Sequence, residues 1–337
     1  MKLFGKDTRE EVVIVSEIGV NHGGDISWII EMLPKLKYAG VDAVKLQVFT
    51  PERYVGKSNK GRFDFLSKRF ISQSAYLQVL NEARLIGIPL FATPLSEDWI
   101  PFLVDHNSTI KVASGDFTFL PTIEPLLRSQ AHLILSTGAV SNNEISTFIS
   151  IASAIRGESK LKETVALLHC VSAYPPPLCE ANLNAISDLK LATGLTVGFS
   201  SHFLSDSPIF CALALGARIF EIHVTDDRSR DDVRDHELSR TPNELKELIL
   251  QLRQLNIALS SKVKEIQPSE AANLPLIRKG LVTITDISSG EEFSLTNISF
   301  ARPQTDLTSS DFNSVLGRKA ATFIPAYTSL HRHHLQV

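Results

Sequence analysis

Short apolar runs and longer helix-periodic segments alternate eight times before residue 260 of the chain. The runs are Val12–Ile18, Ala43–Val48, Pro89–Ala92, Ile110–Ala113, Leu133–Ser136, Val165–Cys170, Thr196–Phe199 and Arg218–Val224. Most are close to continuously apolar, as strands covered on both faces are. Between them, Ser27–Tyr38, Asn143–Ile155 and Asn243–Leu259 repeat their apolar positions at helical spacing. Eight strand–helix units predict a (β/α)8 TIM barrel, an α/β fold that carries its functional groups at the C-terminal strand ends.

Beyond Leu259 the texture changes. Ser260–Asn273 reads as a polar linker, Leu281–Ile287 as a strand and Ser288–Glu291 as a turn. Ser294–Arg302 reads as a further extended stretch closed by Pro303. These signals predict a barrel domain over 1–260, a linker over 261–276 and a small, mostly β domain over 277–337. A domain of about 60 residues needs support from the barrel or from a partner chain. Residues 49–75 read as one long insertion after the second barrel strand, where long loops act as lids or specificity loops.

Composition narrows the function classes. The net charge of −3 supplies no bulk field for nucleic acid or an anionic membrane, so local lysines must meet any bound anion. The three cysteines lack CxxC spacing, which suits a reducing compartment. The charged start MKLFGKDTREE is no signal peptide, and no run is long enough to span a membrane. A cytoplasmic protein with no nucleic-acid or membrane partner is expected.

Chemistry gathers where the strands end. Side chains alternate along a strand, so Lys45 and Gln47 share one face of the second run. Lys111 sits inside Ile110–Ala113, followed by Ser114 and Asp116. Two lysines in near-apolar strands require a bound anion or buried carboxylates, and a structural ion pair is the plainer alternative. Thr93, Ser114, Ser136 and Ser200 add hydroxyls to the same rim, suited to a phosphate or carboxylate. Parity places Ser200 with His202, and Glu221 with His223 and Thr225. Two histidines on adjacent strand ends, with Glu17 nearby on the closed barrel, suit Mn²⁺, Mg²⁺ or Zn²⁺. His331, His333 and His334 read as a solvated tail.

Ser16–Asp25, Val44–Gln47, Ala92–Pro94, Lys111–Asp116, Leu135–Gly138, Leu168–Pro175, Gly198–His202 and Glu221–Thr225 together resemble the N-acetylneuraminate (sialic acid) synthase family in order and spacing. Arg302-Pro303 and Leu316–Ala320 resemble that family's C-terminal antifreeze-like (SAF) domain. The resemblance implies condensation of phosphoenolpyruvate with an N-acylated amino-sugar aldehyde such as N-acetylmannosamine, releasing phosphate. It implies that Lys45, Thr93, Lys111, Ser114, Ser136 and Ser200 hold phosphoenolpyruvate, and that His202 and His223 bind a divalent metal. Mn²⁺ is expected first, with Mg²⁺ or Co²⁺ as alternatives. Glu17 and Asp116 are the implied catalytic carboxylates; Gln47, Tyr174 and Asp235 would contact the sugar. Arg302 would reach the partner's site in a domain-swapped homodimer.

Two positions depart from the family pattern: Ile222 stands where a basic residue is usual, and Ser201 where Asp or Gly is frequent. Parity turns both towards the helices, so Ile222→Lys is expected to leave activity intact or improve it. Three other readings stay open: a legionaminic or pseudaminic acid synthase using a 6-deoxy-diacetamido hexose, an enzyme joining phosphoenolpyruvate to another aldose, and a non-catalytic sugar- or phosphate-binding barrel.

Overall fold

The computed structural model describes residues 1–261 and 263–337. Chain contacts divide it into two compact units, the first running from Met1 to Ser261 and the second covering the described residues beyond it.

The first unit opens with a small hairpin, β1 (Lys2–Leu3) and β2 (Lys6–Asp7). Eight parallel strands then close on one another: β3 (Val13–Gly19), β4 (Ala43–Val48), β5 (Leu90–Pro94), β6 (Thr109–Val112), β7 (His132–Ser136), β8 (Val165–His169), β9 (Thr196–Ser201) and β10 (Ile219–His223). β10 pairs back onto β3, with His223 opposite Glu17, so the closed TIM barrel is present. Helices begin where side chains can accept the free N–H groups of their first turns. Asp25 caps Ile26–Ala39 through bonds from the Ser27 and Trp28 amides at 2.8 and 3.2 Å. Ser141 with Glu144, and Thr241 with Glu244, form capping boxes on Asn142–Arg156 and Pro242–Ala258.

Alternation sorts each strand into two layers. Val44, Leu46, Val48, Ile110, Val112 and Ile222 face outward and pack beneath the helices. Val13, Val15, Ala43, Phe91, Ile134, Ala166, Leu168 and Ile219 fill the lower interior, joined by Leu3 of the hairpin. The filling is tight: a Cβ on Gly198 would lie 2.2 Å from the Ile219 carbonyl oxygen, so only glycine fits there. The buried charges Glu17, Lys45 and Glu221 each follow a floor residue by two positions and so lie above it in the interior.

The 49–75 insertion is not one loop. It holds helices at Pro51–Tyr54 and Lys60–Ser67, and by Gln73 the next barrel helix, Gln73–Ile86, has begun. Phe49 and Leu66 anchor it in a buried cluster with Val20 and Val233, an apolar contact that the local sequence pattern did not reveal.

In the second unit, β11 (Gly280–Thr283) pairs antiparallel with β12 (Ile298–Ala301) over a core that includes Leu281, Ile287, Phe293, Ile298 and Ile324. Both strands are shorter than expected, because Ile287 leaves the ladder to bridge Ile324 instead. The 260–273 stretch contains a short helix, Pro268–Ala271. The histidine tail is solvated in part, with His333 exposed, but its backbone is ordered. His331 pairs with Asp306 at 2.9 Å, and Ala320 bridges Leu335, which folds the terminal turn onto the unit.

Candidate active site

Four charges meet in the upper barrel. Lys45 contacts Glu17 and lies 3.6 Å from Glu221, while Lys111 lies 3.8 Å from the same Glu221 oxygen. All four are buried. The two lysines are thus met by two carboxylates, which combines the sequence alternatives: buried ion pairs are present, at the strand ends where an anion would enter. Neighbouring hydroxyls complete the set. Lys45 donates to Thr93 Oγ1 at 3.0 Å, Lys111 to Ser136 Oγ at 2.6 Å, and Ser200 Oγ to Glu221 at 3.0 Å. Gln47 donates to Glu17 at 3.0 Å.

The two carboxyl groups are driven apart electrostatically. Burial raises the Glu17 pKa, Glu221 adds to the rise, and Lys45 opposes it. Burial also works against the Glu221 carboxylate, but Lys111 and Lys45 outweigh it and hold its pKa down at about 2. For Lys111, burial is the dominant influence and lowers the pKa, with Glu221 opposing. Burial thus disfavours the charge on Glu17, while Lys111 and Lys45 favour the charge on Glu221. Opposed environments for paired carboxyls mark acid–base assignments.

The histidines lie beside this cluster. The His202 and His223 ring centroids are 5.4 Å apart, and Tyr174 stacks on His202 at 4.0 Å. His202 Nδ1 donates to the Val171 carbonyl at 2.8 Å, which leaves Nε2, 3.5 Å from Ser200 Oγ, as the lone-pair nitrogen. A ring nitrogen tied to a backbone carbonyl is the usual support of a metal-binding imidazole. Burial, with His223 nearby, lowers the His202 pKa to about 3, so the ring is neutral as a ligand must be. His223 Nδ1 is buried without a hydrogen-bond partner and lies 3.6 Å from Asp235. Among the described residues no group of three or more His, Cys, Asp or Glu is arranged to hold a metal. His202 and His223 alone would offer a divalent ion two imidazole donors, the rest of its shell coming from water or substrate.

Three more residues are expected at the site. Ser114 Oγ accepts from the Gly138 amide at 3.1 Å and lies 3.4 Å from Cys170 Sγ. A Cβ on Gly138 would meet Ser172 Oγ at 2.3 Å and Ser114 Oγ at 3.0 Å, so a side chain there would push these hydroxyls aside. Asp116 follows β6 in the turn Ser114–Asp116, and burial with Glu97 nearby lifts its pKa to about 6. Arg302 belongs to the second unit, where Nε donates to the Ile277 carbonyl at 2.7 Å. Glu221 has no assigned role in the sequence pattern, although its parity with His223 is a usable signal: two buried lysines need more than one carboxylate.

The NeuB family profile matches residues 32–264, and the SAF domain profile matches 278–336. The chain belongs to the NeuB family. Similarity runs almost end to end: an N,N'-diacetyllegionaminic acid synthase of Campylobacter jejuni is 30% identical over 92% of this chain and 96% of its own. A pseudaminic acid synthase of Helicobacter pylori is 28% identical over 94% and 96%. The crystal structure of an N-acetylneuraminic acid (sialic acid) synthetase from Leptospira borgpetersenii, in complex with citrate, is 31% identical with a TM-score of 0.72. That likeness covers 78% of this chain and 90% of the other. The chain is thus a NeuB-family nonulosonic acid synthase of the phosphoenolpyruvate-condensing kind, with a C-terminal SAF domain. No helix among the described residues is long and apolar enough to cross a membrane.

The two departures from the family pattern prove to be neighbours. Ile222 on β10 pairs in register with Ser201 on β9, and both point into the apolar layer under the helices. Ile222 is only 3% exposed, on the outward face that parity gave it, so a lysine there would bring a charge into the apolar layer. Ile222→Lys should lower stability by about 3–5 kcal/mol, the scale of a buried charge left unpaired. Adding Ser201→Asp should recover about 1–3 kcal/mol as coupling. Urea denaturation of the two single variants and the double variant measures this, and simple additivity would show that the positions are independent.

Proposed function

We propose that this synthase condenses phosphoenolpyruvate with an N-acylated amino-sugar aldehyde, N-acetylmannosamine being the leading acceptor and 6-deoxy-diacetamido hexoses the alternative. The observation that carries the reading is the buried Lys45–Lys111–Glu17–Glu221 cluster beside His202 and His223. Phosphoenolpyruvate carries a phosphate and a carboxylate. Lys45 and Lys111 neutralise them, and Thr93, Ser114, Ser136 and Ser200 orient them by hydrogen bonds. Glu17 holds the mobile proton. Gln47, Tyr174 and Asp235 face the acceptor sugar, and Arg302 of a second copy closes the site in a swapped homodimer. His202 and His223 would hold a divalent ion, Mn²⁺ foremost, which supplies Lewis-acid polarisation of the aldehyde. Phosphate release from phosphoenolpyruvate with Mn²⁺, across N-acetylmannosamine and the diacetamido sugars, tests the proposal. Release dependent on one sugar supports it and names the acceptor; silence from folded, metal-loaded protein refutes it.

Asp116 supplies a pH signature. Its folded pKa of about 6 lies above the ordinary carboxylate value, so the neutral form is favoured on folding. Ionisation then opposes folding, and stability should fall as pH rises from about 4 to 6. With Asp116 acting as a base, kcat/KM rises through the same window. Asp116→Asn should remove both trends and lower kcat/KM by about 10²–10⁴-fold. An unchanged rate profile would take Asp116 out of the chemistry.

A further inference from the structure

Arg240 is 5% exposed and has no part in the cluster or the histidine pair. Its guanidinium reaches the segment that follows His202: Nη2 donates to the Leu204 carbonyl at 2.9 Å and to the Phe203 carbonyl at 3.4 Å. Nε and Nη2 both donate to Asp206 Oδ1, at 3.0 and 2.7 Å, and Nη1 donates to the Leu238 carbonyl at 2.8 Å. Its backbone reaches the other histidine. The Arg240 amide donates to the His223 carbonyl at 2.8 Å, and the Thr225 amide donates to the Arg240 carbonyl at 3.1 Å. One residue thus ties the chain after His202 to the strand end that carries His223.

The same segment sets the third group of the pocket. The Asp235 carbonyl accepts from Ser239 Oγ at 2.6 Å, and Asn21 Nδ2 donates to both Ser239 Oγ at 3.1 Å and the Val224 carbonyl at 2.8 Å. Whatever holds 235–240 against β10 therefore also fixes Asp235 beside His223. We infer that Arg240 is a positioning residue for the His202–His223 pair, setting the spacing of the two rings through the backbone without touching either. This rests on the reading of the pair as a metal site, and the test separates the two.

Arg240→Lys keeps the charge facing Asp206 but loses the planar fork that serves several carbonyls at once. Two readouts are needed: imidazole NMR signals of His202 and His223 in metal-free protein, and the Mn²⁺ dissociation constant by calorimetry. Arg240→Lys should shift both ring signals and raise the Mn²⁺ dissociation constant about 10–100-fold, the range typical of supporting groups around a metal. Asp206→Asn, which weakens the clamp without emptying it, should move both readouts less and in the same direction. A lowered melting temperature with unmoved ring signals and an unmoved dissociation constant would reduce Arg240 to a structural residue and overturn the inference. If Arg240→Lys does not fold, Asp206→Asn decides alone by the same criteria. Wild-type protein without Mn²⁺ affinity would end the metal reading of the pair, while the ring signals would still decide whether Arg240 positions it.

Discussion

His223→Ala is expected to lower turnover by about 10³-fold or more, the scale of losing a preorganised group that stabilises developing charge. His223 ends β10 opposite Glu17, its Nδ1 is buried without a hydrogen-bond partner, and Asp235 lies 3.6 Å away. A nitrogen left unpartnered inside a protein is costly unless something binds it. Removing the ring should therefore abolish Mn²⁺ affinity while the melting temperature changes little or rises. Steady-state kinetics with a Mn²⁺ titration and a thermal melt measure all three. Full activity in the alanine variant would remove the histidine pair from the mechanism.

Glu221→Leu carries the second large effect, and its sign differs between stability and anion response. Glu221 is the carboxylate that Lys45 and Lys111 share, and the acceptor for Ser200. Without it, Glu17 still answers Lys45, but Lys111 keeps only its bonds to Ser136 and the Val112 carbonyl. Breaking a buried pair from one side typically destabilises by about 3–5 kcal/mol. An anion entering the site would then meet a stranded lysine. Added phosphate should raise the melting temperature of the variant more than that of wild type, by linkage to the folded state. A variant as stable as wild type, with no response to phosphate, would show that the four charges do not act as one cluster.

The barrel was legible because its strands and helices carry different periods over long stretches. Lys45 and Lys111 stood out in the sequence because a charge inside an apolar strand is costly unless an anion or a carboxylate meets it, and the structure supplies Glu17 and Glu221. Parity paired Ser200 with His202 and Glu221 with His223 within their own strands; barrel closure is what sets His223 opposite Glu17 and Glu221 opposite Ser200. What the sequence hid depends on contacts between distant segments. The insertion looks like a loop in sequence because Leu66 finds its apolar partners at Val20 and Val233. Arg240 leaves no local signal: its acceptors are mostly backbone carbonyls, which every residue possesses. Ile222 and Ser201 stand as two separate departures until register makes them neighbours. His331 reads as solvated because its partner, Asp306, lies 25 positions earlier in the chain.

The central claim is that the buried lysine–carboxylate cluster at the barrel's C-terminal strand ends receives phosphoenolpyruvate. Calorimetric titration of phosphoenolpyruvate into wild-type and Lys111→Met protein tests it most directly. Methionine keeps most of the length of the side chain and leaves Glu221 with Lys45 and Ser200. Saturable binding to wild type is predicted, with at least about tenfold weaker binding to the variant, a loss of about 1.4 kcal/mol. Equal affinity in two folded proteins, or no binding to wild type, would contradict it.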